Sequence, residues 1–176
     1  WVTGFGMPRT PMGAEVAEAL LSVRDLTAYF SQDEGTVKAV DGVTFDLYPG
    51  RTLGIVGESG CGKSVTARAI LGIVDRPGRI VGGEILFRRQ PSDGASHPAV
   101  DLAKLAPNGP EMRAIRGAEI ALIFQEPMSS FSPVHTIGSQ IVEAIMLHQQ
   151  VSRTQAREKT IEILRRVGVS SPEQRV

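Results

Sequence analysis

Cysteine is almost missing from this sequence. Cys61 is the only one in 176 residues, so no disulfide can form within the chain. Stability must come from a packed core, a pattern that fits a reducing compartment. No run of about 18 apolar residues occurs, which excludes a membrane-spanning helix on sequence grounds. Neither sign of charge is in excess, with 19 Lys and Arg against 19 Asp and Glu. A broad basic surface is therefore not indicated, and no nucleic-acid partner is expected. The three histidines, His97, His135 and His148, do not combine with Cys61 at zinc-site spacing. The opening residues lack the basic start and apolar block of a secretory signal. The chain begins with Trp1 rather than Met, and it reads as a processed, tagged or partial sequence.

What is present is ordinary globular composition and one specific motif. A hydrophobic content of 41% and a charged content of 22% are enough for one packed domain. Gly57-Glu58-Ser59-Gly60-Cys61-Gly62-Lys63-Ser64 fits G-x-x-x-x-G-K-[ST], the phosphate-binding P-loop. Gly57 and Gly62 let the backbone turn tightly and leave its N–H groups bare. Those groups converge on phosphates at a helix N-terminus, where the helix dipole also favours anions. Lys63 supplies a point charge to the outer phosphates, and the Ser64 hydroxyl suits Mg²⁺. The context agrees with the motif. Thr52–Val56 is a short apolar run suited to a buried strand, and Ser64–Leu71 reads as a helix ending before Gly72.

Residues 1–18 are rich in Gly and Pro and read as a loose leader. The domain proper is expected over 19–176. Leu20–Leu26 and Val37–Tyr48 are candidate strands, the second from the alternation of Val43, Phe45 and Leu47 with polar neighbours. Pro49-Gly50 is a turn signal. An antiparallel β layer therefore precedes the P-loop strand. Gly82–Phe87 is a further short strand. Residues 88–110 carry four prolines and are expected to form a loop or insertion. Glu111–Arg116 suits a helical turn, and Glu119–Phe124 a buried strand. A helical region is expected over 137–168. It comprises Ile137–His148 and a second helix opened by a capping box of Ser152 and Gln155 and stopped at Gly168.

These segments, in this order, resemble the nucleotide-binding subunits of ABC transporters, more closely those of bacterial dipeptide and oligopeptide importers. The likeness rests on Thr52–Ser64, on Ala121–Ser130, which resembles the Q-loop region, and on Pro133–Gly138. It runs from about Leu20 to the end of the chain. The fold implied is α/β: a P-loop NTPase core with an N-terminal antiparallel β layer and the start of a helical subdomain.

The resemblance implies ATP and Mg²⁺ as ligands. Nucleotide would be held by Gly57, Glu58, Ser59, Gly60, Cys61, Gly62, Lys63, Ser64 and Val65. Phe30 falls at the position of the family's adenine-stacking aromatic, with Tyr29 the near alternative. Gln125 matches the Q-loop glutamine, which approaches Mg²⁺ or attacking water, so Lys63 and Gln125 are the catalytic candidates and Ser64 and Gln125 the metal ligands. Reading Ile120–Glu126 as a Walker B strand is less suitable, because Gln stands where Asp would anchor the Mg²⁺ shell. Implied partners are transmembrane permease subunits, a second nucleotide-binding subunit and, indirectly, a solute-binding protein. The implied location is peripheral, at the cytoplasmic face of the bacterial inner membrane.

Two departures stand out. Phe131-Ser132-Pro133 replaces the subfamily's usual Leu-Asn-Pro, and the Leu-Ser-Gly-Gly-Gln signature, Walker B Asp-Glu and switch histidine do not occur. The chain is expected to be a C-terminally truncated fragment, inactive alone. A soluble P-loop kinase, a nucleic-acid-linked ATPase and a non-catalytic nucleotide-binding module are the alternatives.

Overall fold

Alternation along the first strand sinks one of its faces into a core. Leu21, Val23, Leu26 and Ala28 are buried on β1 (Leu21–Gln32). The computed structural model describes residues 18–89, 98–126 and 130–176. β1 pairs antiparallel with β2 (Gly35–Leu47) on one edge and with β3 (Gly78–Phe87) on the other. A two-residue β4 (Val100–Asp101) extends the sheet to the order β2-β1-β3-β4. Val40, Ile85, Phe87 and Leu102 join the core. Helix α1 (Lys63–Ile70) buries Thr66 and Ala69 and packs on β1 and β2. The antiparallel layer expected before the P-loop is therefore present.

Asp101 stitches the far edge of the sheet. Its Oδ1 accepts from the Ile85 and Ala103 amides, at 3.1 Å each, and Lys104 Nζ lies 2.8 Å from Oδ2. Burial pushes the Asp101 carboxyl up, but Lys104 and the two amides outweigh it and hold the group below its ordinary range.

The chain forms two compact units, Trp1–Arg113 and Ala114–Val176. Helix α2 (Pro110–Ile115) leads into the second. That unit is built on α3 (Ile137–His148) and α4 (Arg153–Arg166). Val142, Ile145 and Ala156 form its core, with Ile141, Val151 and Val176 against them. The Ser152–Gln155 capping box is fully formed, and Gly168 takes φ 82 just beyond the helix end.

Several expectations need correction. β1 continues six residues past Leu26, to Gln32, and β3 starts at Gly78 rather than Gly82. Residues 88–110 are not wholly loop. They contain β4, a 3₁₀ turn at Leu102–Lys104 and the first residue of α2. Thr52–Val56 is not a strand, and Leu53, Ile55 and Val56 are exposed. Glu119–Phe124 is not one either, since only Ile120 makes a bridge, to Arg116, and Ile123 is 91% exposed. The reason is shared. A buried strand needs a run of paired partners on a neighbouring strand and a covering layer. Among the described residues 52–56 pairs with no strand, and 119–124 has only the single Ile120–Arg116 bridge. The leader, apart from Glu18, lies outside the described residues, as do Pro127, Met128 and Ser129 of the Q-loop-like stretch.

Candidate phosphate-binding site

Two glycines shape the loop. Gly60 and Gly62 adopt φ 84 and 93, in the left-handed region where a side chain is strained. Gly62 also sits directly under β2. A Cβ there would lie 2.2 Å from the Ala39 carbonyl oxygen and 3.4 Å from Val40 Cγ2. Ala39 is the unpaired residue of a bulge, since Ala28 pairs with Val40 and Tyr29 with Lys38. The bulge thus presents a backbone carbonyl as the floor of the loop. Gly57 serves differently, because its missing Cβ leaves the space where Cys61 Sγ lies, 2.6 Å from the ideal Cβ position.

Lys63 closes the loop on itself. Its Nζ donates to the Gly57 and Glu58 carbonyls, at 2.7 Å each, and lies 3.4 Å from Cys61 Sγ. These three contacts hold the ammonium against the loop. Ser64 is exposed at the start of α1, while Val65 is half-buried. Thr66 ties the helix back to the loop through its amide and hydroxyl, both donating to the Gly62 carbonyl at 2.8 and 3.0 Å. The amides of Gly60, Gly62, Lys63 and Ser64 carry no hydrogen bond among the described residues.

Phe30 lies on the loop's side of the sheet. Ala28 and Phe30 alternate onto one face of β1, and Val40, paired with Ala28, touches Gly62 from that face. The Phe30 ring is half-buried, with its edge over Gly78 on β3. Tyr29 faces the other way. Its hydroxyl donates to Asp41 Oδ1 at 2.7 Å, and Lys38 Nζ stands 5.3 Å from its ring centre. The neighbouring Tyr29 hydroxyl, then the Asp41 carboxylate, raises the Lys38 ammonium above its ordinary value. Tyr29 is thus committed to a surface cluster.

The structure brings the residues 57–65 together as one loop and helix start, with Phe30 on the same sheet face. Gln125 belongs to the second unit, where it is exposed in a bend. Ala39 and Gly78 were not anticipated. Neither carries a sequence signal, because their roles come from the backbone of a bulge and from the volume above one Cα.

The profile of the family described as ABC transporter matches residues 40–176. The chain belongs to the ABC transporter family. A probable peptide ABC transporter ATP-binding protein of Sinorhizobium fredii is 46% identical over 161 residues, covering 91% of this chain and 44% of that protein. A dipeptide transport ATP-binding protein of Bacillus subtilis is 42% identical over 160 residues, covering 90% of this chain and 44% of that protein. This ABC transporter chain therefore spans less than half the length of these curated relatives. A bacterial ABC transporter cassette solved as a dimer superposes with a TM-score of 0.64 at 20% identity, over 82% of this chain and 56% of that one. That likeness shows the fold.

The residues present fit the phosphate chain of a nucleoside triphosphate. An anion cradle needs free backbone amides and a cation, and four unbonded amides and one lysine ammonium lie in the loop and at the start of α1. Ser64 offers an exposed hydroxyl beside them for a hard cation.

Proposed function

We propose that this chain is the phosphate-binding part of an ATP-binding subunit. That subunit couples ATP binding and hydrolysis to solute import by an ABC transporter, with di- or oligopeptides as the solute. The observation that carries the reading is the Lys63 clasp over a loop of free amides. The peptide assignment rests on the relatives' names, since a fold alone does not select a substrate. In this reading Gly57 to Val65 hold the phosphates, and Phe30 stacks on the adenine. Ser64 would ligate Mg²⁺, and Gln125 keeps the role that the resemblance gives a Q-loop glutamine, towards Mg²⁺ or the attacking water. Bound Mg²⁺ supplies the charge neutralisation that phosphoryl transfer requires.

The partners are transmembrane permease subunits, a second nucleotide-binding subunit and, through the permease, a solute-binding protein. No helix among the described residues is long and apolar enough to cross a membrane. The resemblance to importer subunits supports a peripheral place at the cytoplasmic face of the inner membrane, held there by the permease.

Titration calorimetry of Lys63→Ala with MgATP tests the reading. Charge-assisted hydrogen bonds contribute about 1.5–3 kcal/mol, so affinity should fall about 10- to 100-fold. Equal affinities in wild type and variant would remove Lys63 from the phosphate site and the reading with it.

A further inference from the structure

The volume above Gly78 is filled by Phe30. A Cβ at Gly78 would lie 2.5 Å from Phe30 Cε1 and 2.7 Å from Cζ, far inside contact distance. Gly78 is the β3 partner of Phe30, as Val37 is its β2 partner. Its φ is not in the left-handed region, so backbone freedom does not explain a glycine here. Its lack of a side chain does. The ring leans onto bare β3 backbone, and it remains only half-buried.

We propose that Gly78 is a positioning residue for nucleotide recognition: it lets the Phe30 ring lie against β3 and so fixes the stacking surface offered to the base. The inference rests on the reading of Phe30 as the adenine-stacking side chain. Gly78 itself touches no part of the nucleotide. Any side chain there would displace the ring, because the opposing atoms include a fixed carbonyl. The Asp75 oxygen is 2.8 Å from the same Cβ position and accepts from the Gly78 amide. The ring, which can rotate about its own bonds, is the group that yields. Phosphate contacts, made by the residues 57–65, should be untouched.

The test compares MgATP with magnesium tripolyphosphate, which lacks the base, on Phe30→Ala, Gly78→Ala and the double variant of the full-length protein. Stacking contributes about 1 kcal/mol, so Gly78→Ala should weaken ATP about fivefold and leave tripolyphosphate unchanged. The double variant should match Phe30→Ala, because the ring that Gly78 positions is gone. Parallel losses for both ligands, additive losses in the double variant, or a full-strength ATP complex in Gly78→Ala would each overturn the proposal. Phe30→Ala without any ATP-selective loss would overturn the stacking reading and this proposal together. An ATP-selective loss in Phe30→Ala but not in Gly78→Ala would overturn the proposal alone. Should Gly78→Ala fail to fold, thermal unfolding of the double variant decides. Recovery of folding on removing the ring supports the proposal, and persistent unfolding assigns Gly78 to the Asp75 turn and refutes it.

Discussion

At the scale of single residues, the loop is governed by what its glycines exclude. Gly62 combines φ 93 with a β2 carbonyl where a side chain would go. Gly62→Ala should lose about 1–2 kcal/mol from the left-handed conformation alone, and more from the collision with Ala39. Urea unfolding measures this, and an unchanged midpoint would mean that the loop can shift freely. The motif made the importance of Gly62 legible, but not its contact with β2. That contact depends on a bulge whose place follows from strand register, which residues 30–40 do not spell out. Cys61 is exposed, with its sulfur 3.4 Å from Lys63 Nζ. MgATP should therefore slow its alkylation by maleimide, followed by mass spectrometry. Equal rates with and without nucleotide would place Cys61 outside the occupied site.

At the scale of elements, helices announced themselves and strands did so only where a partner existed. Ser152 and Gln155 are three residues apart, and the box they predict closes with Ser152 N donating to Gln155 Oε1 at 2.9 Å and Gln155 N to Ser152 Oγ at 3.2 Å. A cap is local, so sequence spacing suffices. The apolar runs at 52–56 and 119–124 look like strands, yet pairing is a long-range property that composition cannot report. Asp101 gives the element scale its pH test. Its carboxyl is held below the usual range by Lys104 and two amides despite burial. The folded state thus binds its proton more weakly than the unfolded state does. The stabilisation is complete above the ordinary carboxylate value of 3.8 and is lost as pH falls through the lower folded value. Asp101→Asn should flatten this part of the acid profile and cost about 1.5–3 kcal/mol at neutral pH. Urea midpoints at pH 7 and pH 3 check both. An acid slope identical to wild type would mean that Asp101 is not the group responsible.

At the scale of the whole molecule, the antiparallel layer and the α3–α4 pair each bury a core, whereas the apolar runs at 52–56 and 119–124 do not. Ile55 is 50% exposed, Val56 92% and Ile123 91%, and no strand among the described residues pairs with 52–56. The relatives carry more than twice this length of chain. Phosphoryl transfer to water needs charge stabilised on every side of the transferring group. In the proposed reading Lys63 and Ser64 act from the loop side, and Gln125 is the one further candidate in the sequence. The resemblance places a polarising carboxylate, a switch histidine and a partner's signature serine on the remaining sides, and the 176 residues contain none of those motifs. This polypeptide alone should therefore show no appreciable ATP turnover, even where it binds nucleotide. The uncovered apolar side chains should also make it bind a hydrophobic dye more strongly than a chain extended to the relatives' length. Circular dichroism must first establish that the short chain is folded. Phosphate release is then compared between the two lengths. Turnover by the short chain at the full-length rate, abolished by Lys63→Ala, would show that its catalytic groups all lie within these 176 residues.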